Sequence, residues 1–89
     1  MPGMWIVELA FTDVPDRLAA RPAHRERITA LHAEGKVRIS GPLADDSGAV
    51  LVFDVPDRPA LDELLAADPY YTTPGVEVVR IREWAPFLT

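Results

Sequence analysis

Six short segments, each fenced by proline, glycine or aspartate, run along this chain in the order strand, helix, strand, strand, helix, strand. Few folds accommodate that order. Residues 4–11 are rich in β-branched and aromatic side chains, and Trp5, Val7, Leu9 and Phe11 alternate onto one face, the period-two signature of a half-buried strand. Asp13-Val14-Pro15-Asp16 then supplies helix-start chemistry. Helical periodicity follows from Asp16 to about Glu34, with Gly35 as the stop. Pro22 falls inside that stretch. It has no N–H and its ring clashes with the preceding turn, so it is expected to open a second helical segment as the first residue, after a short turn. Residues 37–40 read as a short strand broken by Gly41-Pro42, and residues 49–55 as its hairpin partner across the turn Asp45-Asp46-Ser47-Gly48. Residues 59–67 form a helix with Leu61, Leu64 and Leu65 as its buried stripe. Asp68-Pro69 stops it, because the residue before a proline is pushed out of helical geometry. Residues 76–83 are the last strand.

This order is that of the ferredoxin-like βαββαβ sandwich, an α+β fold in which a four-stranded antiparallel sheet carries two helices on one face. With 89 residues the chain makes a single domain, residues 1–89. A domain of this size buries a modest share of its surface and has no cysteine to staple it, so oligomerisation is the expected source of further burial. The helix-free face of the sheet would span roughly 300 Å² in plane from strand spacing and rise. Val50-Leu51-Val52-Phe53 is apolar on both faces, so that bare side is not merely solvated. A two-fold homodimer through the sheet face is the expected remedy. Which face meets the helices is open, since both carry apolar residues.

Fourteen acids against nine Lys and Arg give a net charge of -5, and the cations are scattered among the acids. Nucleic acid and anionic membrane are therefore not expected as partners. No segment approaches the ~20 apolar residues of a membrane span. The opening Met1-Pro2-Gly3 has neither the basic region nor the apolar stretch of a signal peptide, so a cytoplasmic location is expected. Without cysteine there is no thiol catalysis. There is no Gly-rich phosphate loop, no metal-spaced His/Cys set and no G-x-S-x-G elbow, so no metal and no cofactor is expected. Asp45 and Asp46, adjacent in a turn, read as solvated acids rather than a metal pair.

Two polar residues stand where a small domain usually places carbon. His24, Ile28, Leu31 and His32 fall at i, i+4, i+7 and i+8, which puts His24 on the stripe that faces the sheet. Taken alone, such a histidine reads first as a core residue satisfied by a backbone carbonyl. Asp68, before Pro69, reads first as loop chemistry. Topology changes the weighing, because both helices cover one sheet face and the start of one can meet the end of the other. Imidazole and carboxylate are together the minimum kit for moving a proton near neutral pH, and an aspartate that fixes a histidine tautomer is a familiar arrangement. If Pro22 opens its segment, His24 is the third residue, where the helix N-terminus favours neutral imidazole while Asp68 favours the cation. Ser40, at a strand end before Gly41, is either a turn residue or a cleft hydroxyl. Arg21 is either solvated or grips an anionic substrate group. Of Tyr70 and Tyr71, one is expected to pack and the other to line a pocket. His32 is expected to be partly exposed and to help cap its helix.

Arg21-Pro22-Ala23-His24-Arg25, Ser40-Gly41-Pro42-Leu43 and Ala66-Ala67-Asp68-Pro69-Tyr70, with an ending near Trp84, resemble the YciI-like (YCII-related) family over nearly the whole chain. The resemblance implies a ferredoxin-like fold paired as a dimeric α+β barrel, and a His–Asp dyad at His24 and Asp68. It implies further that Ser40 and Gly41 line the same cleft, and that Arg21 is the basic residue preceding the histidine. Tyr70 stands where many members carry Phe, and Tyr71-Thr72-Thr73-Pro74-Gly75 is a polar version of the following loop. Most members have no assigned reaction. One branch is similar to a dehydrochlorinase of chlorinated hydroxyhydroquinones, and the fold resembles muconolactone isomerase. The expected function is general acid–base chemistry without a metal on a small aromatic or lactone-like molecule (isomerisation, elimination or hydrolysis). His24 and Asp68 would be the catalytic pair, with Arg21, Ser40, Gly41 and Tyr70 as substrate contacts. The alternative is a non-catalytic dimeric module that binds a small molecule.

Overall fold

The computed structural model describes residues 3–89; Met1 and Pro2, part of the opening read against a signal peptide, lie outside the described residues. Strand β1 (Gly3–Phe11) is central, hydrogen-bonded antiparallel to β3 (Gly48–Val55) on one side and to β4 (Val76–Trp84) on the other. Strand β2 (Val37–Pro42) pairs with β3 at the edge, so the sheet order is β2-β3-β1-β4. Helix α1 (Pro15–Ala33) joins β1 to β2, and α2 (Arg58–Ala66) joins β3 to β4 through a 3-10 helix at Pro69–Thr72. This is the α+β ferredoxin-like arrangement. No helix among the described residues is long and apolar enough to cross a membrane.

The strand alternation sorts the faces. Val7 and Leu9 of β1 and Leu51, Phe53 and Val55 of β3 pack with Leu31 of α1 and Leu61 of α2, all under a tenth exposed. The odd-numbered residues of both strands thus meet the helices. The opposite face presents Ile39, Val52 and Ile6 in one row across three strands, continued by Arg82 on the fourth.

Several local features differ from the sequence reading. Pro22 lies inside one unbroken α1 rather than at the head of a second segment. Pro22 and Leu18 both lie on the exposed side, so the Leu18 carbonyl that loses its donor is left to water and the helix runs on. Strand β2 continues through Gly41 to Pro42, opposite Ala49; as an edge strand it tolerates a proline that lacks a ladder donor. The segment after Asp68 is a 3-10 helix, not a plain loop.

The α1 stop is as expected, but its mechanism lies in the backbone. Gly35, at φ 81, lets its own N–H reach the His32 carbonyl and the Lys36 N–H reach that of Leu31, so the cap is a Schellman motif and the exposed His32 side chain is not needed for it. In α2, Asp57 Oδ1 accepts the Ala60 N–H at 2.9 Å, and the helix begins one residue earlier than its periodicity implied.

One irregularity positions the site. Val37 pairs with Phe53 and Ile39 with Val52, leaving Arg38 as the extra residue of a β-bulge. In unbroken alternation Ile39 would share the inward face with Val37. After the bulge Ile39 turns out and is 68% exposed, while Ser40 pairs with the buried Leu51 on the helix-covered side.

Candidate functional site

Where β2, the tip of the β2–β3 hairpin and the middle of α1 meet, they leave an open cavity of about 350 Å³. That is within the ordinary range for small-molecule sites. Helix α1 supplies Arg17, Arg21, His24, Arg25 and Ile28, spaced i, i+4, i+7, i+8 and i+11 and so on one helical face. The sheet supplies Leu9, Phe11 and Leu51 as an apolar floor and Ser40 and Gly41 as a polar rim. Tyr70 closes one side.

His24 is buried, and its Nδ1 lies 2.7 Å from Asp68 Oδ2, also buried. Asp68 is held there by the local sequence. Pro69 forces it out of helical geometry (φ -112, ψ 109), and its Oδ1 accepts the Tyr70 N–H at 3.0 Å, capping the 3-10 helix. One carboxylate oxygen thus serves the backbone and the other faces imidazole. When Asp68 is ionised and the ring neutral, the carboxylate only accepts, so Nδ1 carries the hydrogen and Nε2 is the free acceptor. Nε2 has no hydrogen-bond partner among the described residues and is not sealed from solvent. Because His24 borders the cavity, this is the atom left to meet a ligand. The imidazole plane is fixed by stacking on Tyr70 (centroids 4.0 Å apart, planes at 13°) and by the edge-on ring of Tyr71 at 5.4 Å.

His24 therefore lies mid-helix, and the influence of a helix N-terminus, which fades within the first turn, does not reach it. Arg21, Ser40, Gly41 and Tyr70 all border the cavity; Asp68 stands behind His24, away from the opening. The expected division between the tyrosines holds: Tyr70 lines the cavity and Tyr71 packs behind the imidazole.

Arg17 was not singled out by the sequence, although its place seven residues before His24 was a usable signal. It is 7% exposed, its guanidinium sits 4.3 Å from the centroid of the Phe11 ring, and Nη2 reaches Asp46 Oδ2 at 3.3 Å. Its Nε and Nη1 are buried without a partner.

The Tyr71 hydroxyl is likewise buried without a partner, and burial, reinforced by the Asp68 charge, pushes its ionisation well above the ordinary phenol value of 10.0. Below pH 10 the folded and unfolded chains both keep this proton and stability is unaffected. Above it the unfolded chain releases the proton first, so stability falls by up to about 1.4 kcal/mol per pH unit. Tyr71→Phe is expected to remove that component and to cost less than about 1 kcal/mol at neutral pH, since no hydrogen bond is lost. Urea denaturation of both proteins between pH 9 and 11 checks this; parallel pH dependences would contradict it.

A family model described as the YCII-related domain matches residues 3–85. No curated protein matches the chain.

Proposed function

Since the chain belongs to the YCII-related family and sets an oriented imidazole at the wall of a ligand-sized cavity, we propose that it catalyses proton transfer on a small organic molecule. The observation that carries this is the 2.7 Å contact between His24 Nδ1 and Asp68 Oδ2, which leaves Nε2 free beside the opening. In this reading Nε2 takes a proton from an acidic C–H or O–H of the bound molecule. Asp68 stabilises the imidazolium that forms, and the same nitrogen returns the proton at a second position or to a leaving group. Isomerisation and elimination use that cycle directly; in hydrolysis the proton comes instead from a water whose oxygen bonds to the substrate carbonyl, and it passes from Nε2 to the departing oxygen as the scissile bond breaks. Ser40 and Gly41 at the rim and Arg21 on α1 contact the substrate's polar groups, and Tyr70 supports both the ring of the substrate and that of His24. The apolar floor suits an aromatic or lactone-like body.

Solvent-exchange NMR tests this before any natural substrate is known. A panel of small lactones and hydroxyaromatics in D₂O is expected to include members whose acidic positions exchange faster with the protein than with buffer, and His24→Gln is expected to abolish the excess. Binding without exchange would instead support the non-catalytic binding module.

The helix-free sheet face supports pairing of two copies. Its row of Ile39, Val52 and Ile6 is apolar; Ile39 is 68% exposed in the single chain, Ile6 is half-buried and Val52 is already buried between its neighbours. A two-fold contact would bury Ile39 against the same row. Ile39→Glu, whose side chain has little to lose in the single chain, is expected to convert a dimer into a folded monomer in sedimentation velocity. A wild-type protein that sediments as a monomer at micromolar concentration would overturn the pairing.

A further inference from the structure

The cavity's charge runs against that of the chain. The protein carries -5 overall, yet Arg17, Arg21 and Arg25 border the cavity, with Asp46 as the one carboxylate beside them. The guanidinium groups of Arg21 and Arg25 have no hydrogen-bond or ion-pair partner among the described residues, the Thr29 hydroxyl bonding only the Arg25 backbone carbonyl. Arg17 is more than nine-tenths buried, with Nε and Nη1 unpartnered and Nη2 held end-on by a half-exposed Asp46. A buried guanidinium ordinarily has its donors met, and a concave site lined by one sign of charge concentrates the opposite ion.

On the reading of this cavity as the functional site, we infer that it selects small organic molecules bearing a carboxylate, with Arg17 as the anchor and Arg21 and Arg25 as the surrounding field. The planar fork of a guanidinium matches a carboxylate in two parallel bonds. The apolar floor of Leu9, Phe11 and Leu51 takes a hydrocarbon body rather than a bare inorganic anion. Asp46 occupies the place a ligand carboxylate would take on Nη2, on a hairpin tip where its own backbone is left-handed at φ 60. The incoming anion displaces it. His24 then faces the part of the ligand next to the anchored group, so the anchor sets which proton lies within reach of Nε2.

Benzoate, benzamide and inorganic phosphate are the probes, titrated at low ionic strength with the backbone amides lining the cavity as the NMR readout. Benzoate is expected to bind saturably and at least about tenfold more tightly than benzamide, the scale of one charge-assisted bond, and more tightly than phosphate. Salt should weaken it. Arg17→Met is expected to lower benzoate affinity about tenfold or more while benzamide is unaffected. Should loss of the Arg17–Phe11 contact unfold that variant, Arg21→Gln/Arg25→Gln, both at the cavity edge, is expected to lower benzoate affinity at least threefold. Equal binding of benzoate and benzamide, phosphate binding as tight as benzoate, no saturable benzoate binding, or wild-type affinity in a folded variant would each overturn the inference. Benzoate offers no exchangeable acidic C–H, so this result is independent of the His24 exchange assay and either can fail alone.

Discussion

His24→Gln is expected to slow the catalysed proton exchange by about 10²–10⁴-fold, the usual contribution of one positioned acid–base group. Glutamine is chosen because its amide fills much of the imidazole volume and can still donate to Asp68, so the fold and the cavity wall are retained while the titratable nitrogen is lost. The loss should appear in kcat with little change in KM, since His24 is argued to act on the reacting proton and not to hold the ligand. A second readout separates chemistry from packing. In the wild type ¹⁵N shifts should show the Nδ1–H tautomer, which the Asp68 contact selects. In Asp68→Ala the Nε2–H tautomer should gain. A wild-type imidazole found in the Nε2–H form would mean that the cavity-facing nitrogen is a donor, not a base. The direction of the chemistry would then have to be reversed.

The parts of this architecture that follow from single-residue periodicity were legible in the chain. Alternation of Trp5, Val7, Leu9 and Phe11 placed β1; Leu61 and its neighbours placed α2; Asp68-Pro69 and Gly35 marked stops that the backbone uses. What was misread depends on solvent and on neighbours. Pro22 looked like a breaker because its intrinsic cost was counted without the solvent that satisfies the released carbonyl. The bulge at Arg38 has no signature in one strand, since it exists only in the register against β3, yet it is what turns Ser40 into the cavity. Likewise the pairing of His24 with Asp68 was legible as a topological opportunity, because two helices share a sheet face. Arg17 was missed for the converse reason. An arginine in the first turn of an amphipathic helix ordinarily snorkels to water, and only packing against Phe11 under the hairpin tip buries it.

Asp68→Ala is expected to destabilise the fold by about 3 kcal/mol, against a total of roughly 4–13 kcal/mol for a domain of this length. The substitution removes two acceptors at once. The Tyr70 N–H loses its cap, a loss of about 1 kcal/mol in typical helices, and the buried His24 Nδ1–H loses a charge-assisted partner, worth about 1.5–3 kcal/mol. Asp68→Asn keeps a carbonyl oxygen for the cap and is expected to cost less than half as much. Chemical denaturation at pH 7 measures both. A cycle of Asp68→Asn with His24→Leu, a side chain that can neither donate nor accept, then isolates the charge-assisted contact from the cap, because the cap persists in every member that retains residue 68 as Asp or Asn. A coupling of about 1–2 kcal/mol is expected for groups in direct contact, and additivity would show that Asp68 serves the 3-10 helix alone. The chemistry explains why the two duties fall on one residue. A carboxylate free to rotate could not fix a tautomer, and binding its Oδ1 to the backbone of Tyr70 removes that freedom. The same stretch, Asp68 to Tyr70, also carries the ring stacked on His24, so the imidazole is aligned by a unit that folds as one piece.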